Sequence, residues 1–548
     1  MSIYKKVNHW IAKNIKMFLK FLLLMSWSTF KKFFVYLHPL KVSLDTSKIP
    51  FKDNFFQMMQ SKIVRAFNDM EALEAGNIAN PDEKRMVGHY WLRNFQLAPK
   101  KNINTLLHDN WLKVRAFADK ILNQEVQGSH GPFKYLLCIG IGGSALGPQL
   151  LSDALDRRPK GLRALFIDNT DPDGIFRVLK KIHKHLGQTL VLVTSKSGGT
   201  PEPRNGLIEV RSAFIKQNIP FNQHAVAITC EGSILDVEAQ QERWLARFPM
   251  WDWIGGRTSL FSNVGLVPAA LQNIDISALI QGATEMDILT RNTEVLNNPA
   301  IMLALAWYAC TEGTGKRNMV VLPYKDALIL FPRYLQQLIM ESLGKKLAHD
   351  GRKVFQGLTV YGNKGSTDQH AYVQQLRDGL DDAFVIFIEV QVPCNPSNVH
   401  VEPGLGSGDF LEGFLLGTRA ALAEVERPSI TLTLKHLNAQ SLGALVALFE
   451  RAVGFYASFI RINAYNQPGV EAGKKAAAKF LNLQKRILNF LTDHTGEYFS
   501  AESLAQALNL NEDTESIFKL LEYLAANKKI FRNKLLPLTQ STYCLRKK

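Results

Sequence analysis

Residues 190–203, LVLVTSKSGGTPEP, decide how the chain is read. Leu190 to Thr194 form an aliphatic, β-branched run without polar alternation, the composition of a strand covered on both faces, as in a parallel sheet. The run breaks into Ser195-Lys196-Ser197-Gly198-Gly199-Thr200. Three hydroxyls, an ammonium and two glycines that let successive N–H groups face one concavity suit an anion of phosphate-monoester size. Pro201 and Glu202 fit the first turn of a helix whose dipole favours the same charge. Taken alone, SKSGGT is equally well an ordinary glycine-rich turn.

Working outward, residues 134–155, KYLLCIGIGGSALGPQLLSDAL, repeat the pattern of strand, glycine turn and amphipathic helix. Gly140-Ile141-Gly142-Gly143-Ser144-Ala145 fits a G-x-G-x-x-A dinucleotide fingerprint, and Asp168 follows at a strand end where a ribose would need an acid. Against a dinucleotide, Ser144 puts a hydroxyl at the helix start, and SKSGGT is a second anion loop. Two such loops at strand ends fit a small phosphorylated ligand in a shared crevice better than an extended one. Gly143, Ser144, Ser195, Lys196, Ser197 and Thr200 are the candidate binding residues.

A chain of 548 residues can bury sizeable cores and suggests three or four domains, while 46% hydrophobic and 21% charged residues mark a soluble globular protein. Five scattered cysteines (138, 230, 310, 394, 544) lack metal or redox spacing and read as reduced thiols of a cytoplasmic protein. Half of the +16 net charge comes from the first 41 residues, which carry eight lysines and no acid. In that leader Lys20 and Lys31 leave an uncharged run of ten residues, where a bilayer span needs roughly twenty. Residues 1–40 therefore read either as a basic amphipathic segment with weak affinity for an acidic membrane or as an over-extended reading frame. A globular pattern starts near Lys41.

Helical periodicity follows up to Asn123. Beyond SKSGGT, IGGRTS (254–259) sets Arg257, always cationic and suited to a developing oxyanion, beside two glycines, although a surface turn uses the same residues. Residues 334–351, YLQQLIMESLGKKLAHDG, read as one helix in which Glu341 falls among Met340 and Leu343. A carboxylate beside apolar neighbours is suited to act as a base near neutral pH, and a half-buried Glu paired with a nearby lysine would give the same pattern. In YGNKGSTDQHAYVQQLRDG (361–379), His370 stands just inside a helix start, where capping residues commonly precede an exposed histidine. Residues 463–480, NAYNQPGVEAGKKAAAKF, start a helix with Lys474 and Lys475 on different faces, so at most one enters a pocket.

GIGGSALGP, VTSKSGGTPEP, GGRTS, QLIMESLGK, KGSTDQHAYVQQLRDG and NQPGVEAGK, in this order, resemble the glucose-6-phosphate isomerase family from about Lys41 to Leu481. The resemblance implies an α/β fold of two flavodoxin-like sugar-isomerase subdomains with helical cover (41–280 and 281–482), and an active site completed at a homodimer interface. It implies interconversion of glucose 6-phosphate and fructose 6-phosphate through a cis-enediolate, in glycolysis and gluconeogenesis, without metal or redox cofactor. It assigns the phosphate to Ser195, Lys196, Ser197 and Thr200, with Gly143 and Ser144 alongside, and substrate contacts to Gln337 and Gln467. Glu341 becomes the base, Arg257 the stabiliser of the enediolate, and His370 and Lys474 the agents of ring opening. A sugar-phosphate sensor, the competing reading, would need SKSGGT but has no use for Glu341, His370 and Lys474 together. Residues 483–548 read as three helices and a basic hairpin, a winged-helix-like extension. Its candidate recognition helix, 513–527, carries Asp513, Glu515 and Glu522 against Lys519, which favours a packing or assembly module over a nucleic-acid reader.

Overall fold

A computed structural model of the chain describes residues 26–155 and 160–545, without the side chains of residues 470–472, 474 and 475. The leader's first 25 residues, and with them its membrane-facing reading, lie outside the described residues. Strands β1 (Phe34–Leu37) and β2 (Val42–Lys48) form an antiparallel pair. Then β3 (Tyr135–Ile139), β4 (Arg163–Ile167), β5 (Thr189–Thr194), β6 (Ala225–Thr229) and β7 (Ala246–Pro249) build a parallel sheet in spatial order β4-β3-β5-β6-β7. Numbered from its first strand this is 2-1-3-4-5, the flavodoxin order, whose direction of winding reverses between β3 and β5. All six residues of β5 are buried, as the aliphatic run requires. Ile139 pairs with Val193, so the loops starting at Gly140 and Ser195 leave the sheet side by side.

The second sheet contains β8 (Asn318–Pro323). After it come a small hairpin of β9 (Lys345–Leu347) with β10 (Lys353–Gln356), then β11 (Val360–Tyr361) and β12 (Ala383–Val392). A second hairpin, β13 (His400–Glu402) with β14 (Leu405–Gly406), precedes β15 (Ser429–His436). The spatial order β11-β8-β12-β15 is again 2-1-3-4, all parallel. The fifth place is taken by β2, running antiparallel to β15, with β1 outside it. Residues 34–48 therefore complete the second sheet, and folded structure begins before Lys41, with the helix Trp27–Phe33. Phe33, Leu37 and Leu40 are buried while Lys31 and Lys32 lie exposed in that helix's last turn, so lysines that look like leader are the solvated side of an element covering an otherwise open sheet edge.

Among the described residues, one helix, Ala439–Ile460, is apolar enough to cross a membrane by length and composition, but 94% of its apolar window is buried inside the protein. It is the core helix, packed against Phe55–Glu74, Ile276–Thr290 and Pro299–Thr311. It opens with a capping box in which Asn438 accepts from the Ser441 N–H and Ser441 accepts from the Asn438 N–H. Beside it lies a buried ion network: Arg93 reaches Asp287 at 2.6 Å and also Glu450, and Arg451 reaches Glu74. The Arg93 and Glu450 side chains are fully inaccessible. Arg93→Met leaves two buried carboxylates short of a cation and is expected to cost about 3–5 kcal/mol, read as a lower urea midpoint.

A second compact unit begins at Gln467, not after Asn482, because the helix Pro468–Asp493 runs without a break. Its core joins Leu483, Ile487 and Leu491 to Leu504 of the helix Ala501–Ala507 and to Ile517, Leu521 and Leu524 of the helix Thr514–Ala526. The strands β16 (Phe499–Ser500), β17 (Phe531–Asn533) and β18 (Thr542–Cys544) complete a winged-helix-like layout. Glu522 accepts from Arg532 and, at 2.7 Å, from Tyr543, so one of the acids counted on the candidate recognition helix ties the wing to that helix.

Candidate active site

At the end of β5 the SKSGGT loop folds on its own hydroxyls. The Gly198 N–H donates to Ser195 Oγ (3.1 Å) and the Gly199 N–H to Ser197 Oγ (3.2 Å). Gly198 has φ +74°, and a Cβ there would lie 2.5 Å from the Leu235 nitrogen, so this position needs glycine. Thr200 stands at the N-cap of the helix Pro201–Lys216, and its side chain makes no capping bond. The Lys196 ammonium donates to the Asp252 carbonyl (3.1 Å), and burial, with nearby Arg85, pulls it below its ordinary value.

The first loop is locked to the Arg257 turn. Ser144 stands in the first turn of the helix Gly143–Leu155. A Cβ on Gly143 would fall 2.1 Å from the Gly256 oxygen, so the two backbones touch. Ser259 Oγ donates to the carbonyls of Gly143 (3.2 Å) and Gly256 (2.8 Å). Asp168, the acid a dinucleotide would need, already accepts from Gln149 (2.9 Å) and pairs with Arg333 at 3.6 Å.

Arg257 lies on the short turn Gly256–Thr258 and is 4% exposed. Its Nη2 donates to the carbonyls of Ala464 (2.7 Å) and Asn466 (3.2 Å). Its Nη1 lies 3.2 Å from Glu341 Oε1 in an ion pair, at an angle that leaves this buried nitrogen without a hydrogen-bond acceptor. Burial lowers the guanidinium from its ordinary value and Glu341 opposes the shift. Glu341 closes a π-helical turn, Gln336–Glu341, a distortion that recurs at functional sites. Four residues earlier, Gln337 faces the first anion loop, its Nε2 3.2 Å from where a Gly142 Cβ would sit.

The helix read through 334–351 ends earlier. Gly344 follows its last turn, and Lys345–Leu347 is β9. The apolar surroundings expected for Glu341 are replaced on its reactive side by a cation, since Met340 is 39% exposed and Arg257 is the ion partner. A nearby lysine does reach Glu341, but only its main chain: the Lys345 Nζ donates to the Glu341 carbonyl (2.7 Å) and the Asn466 carbonyl (3.0 Å). Lys345 is 6% exposed, and burial followed by repulsion from Arg257 brings its ammonium down to about 8. The turn 80–85 was missed in sequence, where NPDEKR reads as a solvated bend. Asp82 accepts from Asn463 (2.8 Å) and Asn466, fixing the segment that holds Arg257.

His370 ends the turn Thr367–His370 and is exposed, and among the described residues no hydrogen bond or ion pair joins it to Arg257 or Glu341. Its loop is shaped instead by Asp368, whose carboxylate accepts from the Asn363 N–H (2.8 Å) and Nδ2 (3.1 Å). Gln467, half-buried, precedes the helix Pro468–Asp493 of the second unit; Lys474 is on that helix and its side chain lies outside the described residues.

Residues 45–402 and 418–497 match the family model for phosphoglucose isomerase. The chain is 54% identical over 507 residues to a glucose-6-phosphate isomerase of Nostoc sp., covering 92% of this chain and 95% of that protein. It is 52% identical over 502 residues to one of Geobacter sp., covering 91% and 95%. A crystal structure of a glucose-6-phosphate isomerase from Chlamydia trachomatis superposes with a TM-score of 0.76 at 26% identity, over 85% of this chain and 92% of that one. Two glycine-rich loops at a strand-order reversal, a buried guanidinium against a carboxylate on a widened turn, and these likenesses agree: the chain belongs to the phosphoglucose isomerase family.

Proposed function

We propose that the paired Arg257 and Glu341 are the reaction centre for the family's interconversion of glucose 6-phosphate and fructose 6-phosphate, with the substrate phosphate held by Ser195, Lys196, Ser197 and Thr200. The observation that carries this reading is the buried Arg257 Nη1, which lies beside the carboxylate and lacks a hydrogen-bond acceptor. Glu341 takes the proton from C2 of the open-chain aldose, and the electron pair left behind moves onto the carbonyl oxygen at C1. Arg257 stabilises that charge in the cis-enediolate, and the proton returns to C1 as the C2 hydroxyl proton passes to O1, leaving a ketone at C2 and a hydroxyl at C1. Gly143, Ser144, Gln337 and Gln467 line the sugar. His370 and Lys474 serve ring opening, the roles the family resemblance gives them.

A homodimer fits this scheme, because His370 is exposed and its side chain makes no hydrogen bond or ion pair among the described residues, which leaves it available to a second subunit. The five unbridged cysteines are in keeping with a reducing cytoplasm. An assay coupling glucose 6-phosphate formation to a dehydrogenase tests the reading on the full chain: turnover in both directions is expected, and tight binding without turnover would sink it. Lys196→Met is expected to raise KM about tenfold or more with a smaller change in kcat, because a phosphate remote from the reacting carbons is bound alike in ground and transition states.

A further inference from the structure

We propose that Lys345 is a positioning residue of the isomerase site, pinning the turn that carries Glu341 to the segment that holds Arg257 and adding its charge to the field at the reaction centre. The proposal rests on the Arg257–Glu341 reading above. The geometry is specific: Nζ spans two main-chain carbonyls, Glu341 on one side and Asn466 on the other. Asn466 O is also an acceptor for Arg257 Nη2, so an ammonium and a guanidinium share one carbonyl in a buried site. Cations crowded this way repel each other, and the arrangement gains from a negative charge arriving between them. The enediolate is such a charge, whereas the C1–C2 end of the open-chain sugar phosphate is uncharged.

The groups facing Lys345 are Arg257, which lowers its proton affinity, and Glu341 and Asp82, which raise it. Glu83 and Tyr465 face Arg257 from other elements. With burial dominant, the ammonium loses its proton at about pH 8. A neutral amine keeps two N–H donors, enough for both carbonyls, so titration removes charge and leaves the pinning bonds in place. Activity is therefore expected to fall through an alkaline limb near pH 8 while the fold persists.

The test is the pH profile of kcat/KM between pH 6 and 10 for the full-length wild type, Lys345→Gln and Lys345→Arg, with a thermal melt of each protein. Lys345→Gln is expected to lose the limb and to run about tenfold below wild type at pH 7, near the wild-type alkaline plateau. Lys345→Arg is expected to stay active and to move the limb upward by at least one pH unit, since Arg keeps its charge. A wild type with no limb between pH 7 and 9, or a limb that stays in place in Lys345→Arg, overturns the proposal; should the Gln variant fail to melt cooperatively, the Arg variant decides alone. A Glu341→Gln variant that keeps its turnover sinks the parent reading instead, whatever Lys345 does.

Discussion

Glu341→Gln is expected to lower kcat about 10²–10⁴-fold, the range a positioned general base contributes, while KM and the affinity for a hexose phosphate stay near wild type. The amide has the carboxylate's shape, so the π-helical turn survives, while the proton-accepting capacity goes together with the negative charge that faces Arg257. Among the described residues, no hydrogen bond or ion pair joins the loops 140–145 and 195–200 to a Glu341 oxygen, so ground-state binding has no reason to weaken. Two measurements separate chemistry from binding: steady-state kinetics in the coupled assay, and loss of deuterium exchange between solvent and C2 of glucose 6-phosphate at saturating enzyme. A variant retaining more than about a tenth of wild-type kcat would show that another group takes the proton. A Glu341→Ala comparison is less informative, because it would also remove the side-chain volume beside Arg257 and leave a cavity at the turn.

The parts of this site that lie on loops after buried strands were legible from sequence, since β5 and the SKSGGT loop announce themselves by composition. The flavodoxin order, once seen, explains why the loops at Gly140 and Ser195 share a crevice. What sequence could not give was tertiary. Lys345 looks like one of two solvated lysines after a glycine, and only the closing of the segment 464–466 over the end of the Glu341 helix buries it. Asp82 sits in a turn that reads as solvent-exposed, yet it anchors Asn463 and Asn466 from almost four hundred residues away. The hairpin of β1 and β2 was likewise hidden, because a lysine-rich flank masks two strands of which β2 pairs with β15 at the edge of the second sheet. Glu341 stands out in sequence through its neighbours, but the charge it pairs with comes from residue 257.

Arg257→Lys is expected to lower kcat about 10²–10³-fold, the cost of one lost oxyanion donor, with KM changing far less. Guanidinium geometry is the reason. Arg257 uses Nη2 on the carbonyls of Ala464 and Asn466 and thereby holds Nη1 beside Glu341. An ammonium is a point charge on a flexible stem, and a lysine here can satisfy the two carbonyls or present a donor at the reaction centre, but its reach does not duplicate the planar fork. Charge is conserved in this variant, so a loss of this size is a loss of geometry, and it should fall on species that carry the enediolate's charge. A phosphorylated hydroxamate mimicking the enediolate should lose affinity by about the same factor as kcat/KM, whereas a sugar phosphate without that charge should bind as before. Equal losses for both ligands would mean that Arg257 only braces the segment 464–466, and the enediolate would then need another cation, for which Lys345 is a buried candidate.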